Sequence, residues 1–380
     1  MKRQQALVVP ATFTEKAPAN QFSERLLNWF DLYGRKDLPW QQNKTPYRVW
    51  VSEIMLQQTQ VSSVIGYYQG FMSRFPRLEI LANAEQDEVL HHWAGLGYYA
   101  RARNLLKSAK IIQHELNGCF PNTLDKMIAL PGIGRSTAGA ILSIAFNQRV
   151  AILDGNVKRV LCRYRAIPTW PGDKQTEDAL WQLADTLTPS ERVSDYTQAI
   201  MDLGATLCRR SKPNCLNCPL ASDCQALAQD LQNALPVSRP KKNIPLKHTW
   251  MVHIESDDGY ILLEKRPPSG IWGGLYSLPE LDSKLALSSI AGHCSERFGS
   301  HCNTATEQTS FIHTFSHYKL NIKPVTLRTT TPPRQIRNND NYRWIRRAKI
   351  KELGMPSPVF KYLQQMIQPT IRPVINFPIE

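Results

Sequence analysis

The chain has 380 residues, enough for two or three domains that each bury a core. Its 46 lysines and arginines exceed its 32 acidic residues, and the net charge of +14 favours a polyanionic partner, although a soluble basic protein has the same balance. Ala6 to Pro10 is too short for a secretory signal, and the longest apolar stretch, Ala138 to Phe146, is about half of a membrane span.

Helical periodicity dominates residues 20 to 230. A helix through Tyr47 to Val64 would carry an apolar stripe of Trp50, Val51, Ile54 and Val61, with Glu53 at its margin beside Leu56 and Gln57. Taken alone, Glu53 reads as a solvated helix residue and Gln58, a polar amide inside the stripe, as a core amide bonded to backbone. Further on, Leu130-Pro131-Gly132-Ile133-Gly134-Arg135-Ser136-Thr137 joins two helical stretches, the second starting at Ser136 or Thr137. Two glycines one residue apart permit a tight turn whose amides could hold a phosphate, and an ordinary packing joint fits the same residues. Leu153-Asp154-Gly155-Asn156 is a turn before a helix from Val157 to Arg165, where Asp154 would serve as an N-cap.

Cys208, Cys215, Cys218 and Cys224 then follow as C-x6-C-x2-C-x5-C. The spacing admits zinc and favours an iron–sulfur cluster, because Cys208 stands apart instead of forming a second short knuckle. Arg209 and Arg210 in the first loop could meet a phosphate backbone. The remaining cysteines, Cys119, Cys162, Cys294 and Cys302, show no disulfide framework and read as free thiols in a reducing cytoplasm. Residues 236–245 are Pro-rich and basic, a linker. Beyond them Trp250 to Glu255 and Tyr260 to Glu264 flank Asp257-Asp258-Gly259 as a hairpin. Ser283 to Phe298 reads as a helix, Phe311 to Ile322 as one strand and Val359 to Ile367 as a closing helix. The expected fold class is therefore multidomain, an all-α part followed by an α+β module.

Several segments together resemble the MutY-type adenine DNA glycosylases of the helix-hairpin-helix superfamily. They are Ser52-Glu53-Ile54-Met55-Leu56-Gln57-Gln58-Thr59-Gln60-Val61, Gly95-Leu96-Gly97-Tyr98-Tyr99-Ala100-Arg101, the Gly132–Gly134 turn, Ile152 to Val157, the four cysteines, Pro267 to Leu275 and Phe315-Ser316-His317. The match spans roughly residues 20 to 366. It implies a helix-hairpin-helix glycosylase domain over 20–235 with a [4Fe-4S] cluster on Cys208, Cys215, Cys218 and Cys224. A Nudix-like domain that reads 8-oxoguanine would occupy 246–366, and 367–380 a tail. By resemblance Glu53 is the acid, Asp154 stabilises the sugar cation and Asn156 holds Asp154. Trp40, Leu56, Gln58 and Val61 line the adenine pocket. Gln57, Tyr98, Gly132, Gly134, Ser136, Lys158, Arg209 and Arg210 contact DNA, while Phe315, Ser316 and His317 read the lesion. Ser136 stands where related glycosylase–lyases carry a nucleophilic lysine, which implies a monofunctional enzyme. The module lacks the acidic magnesium box of Nudix hydrolases after Gly273-Gly274, so binding without hydrolysis is expected of it. The implied partner is duplex DNA with adenine opposite 8-oxoguanine or guanine. The enzyme would act as a cytoplasmic, nucleoid-associated monomer with no membrane contact.

Overall fold

The computed structural model describes residues 19–239, 243–268, 270–299, 301–315, 317–330 and 341–367. Their packing divides into two units, one of residues 19–54 with 120–239 and one of 55–119 with the described residues from 243 onward.

The helices run α1 Ala19–Tyr33, α2 Pro46–Leu56, α3 Val61–Arg74, α4 Leu78–Ala82, α5 Gln86–His92, α6 Ala100–His114, α7 Leu124–Ile128, α8 Arg135–Phe146, α9 Gly155–Tyr164, α10 Lys174–Leu187, α11 Val193–Thr206 and α12 Gln225–Ala228. In the first unit α8 is buried along Ala138–Ile144, which its apolar sequence requires, and α11 packs against α1, α8 and α9. Phe22 of α1 meets Tyr164 edge-on at 4.8 Å. Gly139 is obligatory in α8, because a Cβ there would lie 2.6 Å from the Ala151 carbonyl oxygen. Asp202 is fully buried and neutralised by Arg35 at 2.6 Å. No helix among the described residues is long and apolar enough to cross a membrane.

The expected helix from Tyr47 to Val64 is instead two helices, α2 and α3, broken after Leu56. Gln58 takes a left-handed conformation (φ 57°) and is exposed, so it is no core amide. The break has a chemical cause inside the second unit, where the Arg101 guanidinium binds the Met55 and Gln57 carbonyls that would have continued the helical ladder.

The second unit contains α3 to α6 and a mixed sheet of β1 Leu246–Ser256, β2 Tyr260–Lys265, β3 Tyr276–Ser277, β4 Glu280–Asp282, β5 Thr306–Glu307, β6 Phe311–Thr314, β7 Lys319–Thr329 and β8 Tyr342–Arg346. The central order is β3-β2-β1-β7-β5, with β8 on β2, β4 on β1 and β6 on β7. β1 and β7 run parallel from Leu246↔Lys319 to Ser256↔Thr329. The expected hairpin at Asp257-Asp258-Gly259 is present, with Gly259 at φ 78° between the antiparallel β1 and β2. Alternation along β1 sends Trp250, Val252 and Ile254 into a core with Ile290, Cys294 and Phe298 of α13 (Leu287–Phe298). His253, on the opposite face, lies 5.9 Å from the Tyr362 ring of α14 (Ser357–Ile367). α13 starts four residues later than the expected Ser283, because a turn closed by Lys284 N–H on the Asp282 carboxylate precedes it.

The strand expected from Phe311 to Ile322 is a hairpin. β6 pairs antiparallel with β7 from Phe311↔Ile322 to Thr314↔Lys319, and the Phe315 N–H donates to the Tyr318 carbonyl at 2.8 Å. Phe315 and His317 therefore belong to the tip of a turn and not to a strand face. Ser316 lies outside the described residues, as do residues 1–18 and 368–380.

Candidate active site

Glu53 sits on α2 in the first unit. Its side chain keeps partial contact with solvent but is walled by protein on most sides. Desolvation, reinforced by the nearby negative charge of Asp154, pushes its carboxyl up to about 8. The solvated helix residue that Glu53 suggests in isolation is thus not found, because the surrounding protein itself supplies the desolvation.

Asp154 caps α9. One carboxylate oxygen accepts from the Val157 N–H at 2.8 Å and the other from the Asn156 side-chain amide at 3.2 Å. Burial raises its pKa, and these donors together with the Arg159 charge oppose the rise. The N-cap and the candidate stabilising anion are thus the same group. α9 itself begins at Gly155 and ends at Tyr164, slightly ahead of the expected helix.

Arg159 was not singled out by sequence. It donates to the Asn156 side-chain oxygen at 2.8 Å, the Gly204 carbonyl at 2.6 Å and the Cys208 carbonyl at 2.7 Å. Gly204 makes room for this arrangement, since a Cβ there would approach the Asn156 Cβ to 2.6 Å. Only the i, i+4 spacing of Arg159 and Arg163 on one helix hints at a shared task.

The Ser136 hydroxyl accepts the Leu153 N–H at 3.0 Å, tying the start of α8 to the strap that delivers Asp154. In the preceding turn Gly132 has φ 80°, and Gly132 and Gly134 are exposed on either side of the buried Ile133. α8 starts at Arg135, one residue before the expected position. Lys158 is engaged by Glu177 at 2.6 Å. Trp40 is buried in the first unit.

Cys208, Cys215, Cys218 and Cys224 line one hollow. Burial and mutual repulsion push the Cys218 thiol up to about 12, and raise Cys215 and Cys224 as well. Arg163, almost fully buried, donates to Cys208 Sγ at 3.3 Å and to the Arg209 and Arg210 carbonyls at 2.7 and 3.2 Å. Among the described residues, no three His, Cys, Asp or Glu side chains converge as they would around a single metal ion. The Arg209 and Arg210 side chains are exposed.

The second unit holds Leu56, Gln57, Gln58, Val61 and Tyr98 along with Phe315 and His317. Leu56 and Val61 are half-buried, while Tyr98 is 58% exposed at φ 49°. Gln57, Gln58, Tyr98, Trp272, Phe315 and His317 line one cavity of about 540 Å³.

Residues 51–186 match the HhH-GPD superfamily of base excision DNA repair proteins, and residues 249–365 match the NUDIX domain. The adenine DNA glycosylase of Buchnera aphidicola (subspecies Acyrthosiphon pisum) is 41% identical over 344 residues, which cover 90% of this chain and 97% of that protein. The human adenine DNA glycosylase is 36% identical over 84% of this chain and 70% of its own. A solved thermostable thymine-DNA glycosylase superposes with a TM-score of 0.51 at 27% identity, covering 56% of this chain and 97% of that one. With a relative this similar across nearly its whole length, the chain belongs to the adenine DNA glycosylases, DNA N-glycosylases of base excision repair with a helical HhH-GPD domain and a Nudix-like α/β domain.

Proposed function

We propose that this enzyme removes adenine mispaired with 8-oxoguanine or guanine in duplex DNA, as a monomeric and monofunctional glycosylase. The observation that carries the chemistry is the pair of carboxylates in unlike surroundings, Glu53 with a strongly raised pKa and Asp154 fixed by donors. With adenine extruded from the stack, protonated Glu53 gives its proton to the departing base. The electrons of the C1′–N bond leave with the base, and the oxocarbenium-like sugar is stabilised by the Asp154 anion that Asn156 holds in place. Water then adds to C1′ and completes hydrolysis. Ser136 has a hydroxyl already engaged by Leu153 and no amine, which supports hydrolysis without a covalent imine. Lys158 is drawn away by Glu177.

The amides at the Gly132–Gly134 turn and the start of α8 suit a phosphate, as do the exposed Arg209 and Arg210. Trp40, Leu56, Gln58 and Val61 are assigned to the adenine pocket and Gln57 and Tyr98 to the duplex. Four thiols around a hollow suit a polynuclear [4Fe-4S] cluster, which fills the space between its ligands. When bound, the cluster would cross-link the 208–224 loop and hold its arginines in place, with no part in bond cleavage. Residues 20–235 are read as the glycosylase domain, 236–245 as a linker, and 246–366 as a lesion reader acting through Phe315, Ser316 and His317.

The test is single-turnover excision from duplexes with A opposite 8-oxoguanine, G or T. Adenine should be released from the first two, and the strand should break only after alkali. Scission without alkali would refute the monofunctional assignment, and intact adenine opposite 8-oxoguanine would refute the substrate.

A further inference from the structure

Helix α6 carries two arginines that the excision chemistry does not use. Arg101 is 8% exposed. Its Nη1 donates to the Met55 and Gln57 carbonyls at 2.8 and 2.5 Å, and its Nη2 to Thr59 Oγ1 at 3.1 Å and to the Leu96 and Gly97 carbonyls at 3.3 and 3.2 Å. The Tyr98 ring lies 5.5 Å from the guanidinium carbon. One planar fork thus gathers the turn bearing Gln57 and Gln58 and the turn bearing Tyr98, both of which contain a non-glycine residue at positive φ. Such conformations persist only where surrounding contacts over-determine them.

Arg103, two residues on, donates Nη1 to the Gly273 carbonyl. Gly273 belongs to the turn Gly270 to Gly274, in which Gly270 (φ 85°), Trp272 (φ 56°) and Gly274 (φ 76°) are all left-handed. A tryptophan held in that region is a genuine conformational outlier. Its ring packs 5.3 Å from Phe315 and 5.6 Å from His313, which meets Phe315 edge-on at 4.5 Å. Arg103 therefore fixes a turn whose aromatic residue backs the tip carrying Phe315 and His317. The groups held by the two arginines face the same 540 Å³ cavity.

We propose that Arg101 and Arg103 are positioning residues for discrimination of the base opposite adenine. They lock the Gln57–Gln58 and Tyr98 turns and the Trp272-backed side chain of Phe315, with His317 beside it, into one composite reading site. This rests on the lesion-reading role given above to Phe315, Ser316 and His317. It also makes that role depend on residues 55–119, so the segment from 246 onward does not read the lesion alone.

The experiment uses the full chain and measures the ratio of single-turnover rates for A opposite 8-oxoguanine over A opposite G. Arg103→Gln should lower the ratio about tenfold, as loosening of the turn behind the reading tip weakens a contact of ordinary hydrogen-bond strength made to 8-oxoguanine alone. Arg103→Lys should restore it, since an ammonium can still donate to the Gly273 carbonyl. Arg101→Lys should stay low, because an ammonium cannot serve acceptors spread across a planar fork. A merely structural role would slow both duplexes in proportion, and an unchanged ratio in Arg103→Gln overturns the proposal. Should that variant fail to fold, Trp272→Leu leaves both arginines in place, and an unchanged ratio there overturns it equally. A wild-type enzyme with no preference for 8-oxoguanine would instead sink the lesion-reading assignment, and this proposal with it.

Discussion

Glu53 and Asp154 are two carboxyl groups of the first unit held in unlike surroundings. Both are desolvated, but Asp154 accepts two hydrogen bonds that favour its anion, while Glu53 feels mainly burial and the Asp154 charge. Glu53→Gln and Asp154→Asn should each slow adenine excision by at least about 10²-fold with little change in duplex affinity, as removal of a group that acts in the transition state requires. Single-turnover kinetics and titration of the same duplex check this, and a variant within a few-fold of wild type would return that residue to a purely structural role. The raised pKa also has a thermodynamic signature. Folded Glu53 titrates near 8 and an unfolded glutamate near 4.5, so between those values the folded state holds the extra proton. Stability therefore falls as pH rises through this window, by at most about 5 kcal/mol for a shift of this size. Glu53→Gln should raise the melting temperature more at pH 8.5 than at pH 5, and wild-type excision should decline above about pH 8 as the acid is lost. Equal gains at both pH values would mean that Glu53 is not held protonated.

At the scale of elements, the sequence conveyed what local chemistry controls and missed what distant partners impose. The Asp257-Asp258-Gly259 turn, the Asp154 cap and the apolar helix α8 follow from neighbouring residues, and all appear. The break after Leu56 was not legible, because the guanidinium that captures the Gln57 carbonyl comes from 44 residues downstream. The β6–β7 turn was missed for a different reason, since Phe311 to Ile322 lacks the glycine or proline that usually marks a reversal. Gly204 was hidden too, because its importance lies in meeting Asn156 from another helix, and so was Arg159, because the Gly204 and Cys208 carbonyls that it joins to Asn156 of its own helix lie 45 and 49 residues downstream. Where an element is locally encoded, its predictions are local. Gly132→Ala places a Cβ at φ 80° and should destabilise the fold by about 1 kcal/mol. It should also weaken binding to matched and mismatched duplexes alike at one salt concentration, as a phosphate site does. A loss confined to mispaired DNA would show that this turn contacts bases. For the 208–224 loop, anaerobically purified protein should hold about four irons per chain. Zinc in their place would refute the cluster while leaving the carboxylate chemistry intact.

For the whole molecule, the packing units cut across the order of the chain. Residues 55–119 associate with the Nudix-like sheet through Lys265 on Asp87 at 2.8 Å, the Tyr99 hydroxyl on the Met355 carbonyl at 3.1 Å and Arg103 on the Gly273 carbonyl. The groups assigned to the duplex and the lesion, Gln57, Tyr98, Phe315 and His317, all lie in that unit, whereas Glu53, Asp154 and the cysteine loop lie in the other. In the proposed reading, the residues that read the opposite base therefore belong to a different packing unit from the two carboxylates, and remote binding energy would select the partner base without altering the bond that breaks. Deleting residues from Pro245 onward should therefore erase the preference for A opposite 8-oxoguanine over A opposite G, while excision from the A·G mispair survives. The deletion also strips partners from Asp87, Tyr99 and Arg103, so melting should fall by roughly 5 °C or more if those contacts contribute a few kcal/mol together. The two duplexes must be compared at one salt concentration, because phosphate contacts set absolute affinity. A truncated chain that keeps the full 8-oxoguanine preference would place lesion reading within residues 20–235 and leave the cavity beside Trp272 and Phe315 without the role assigned to it.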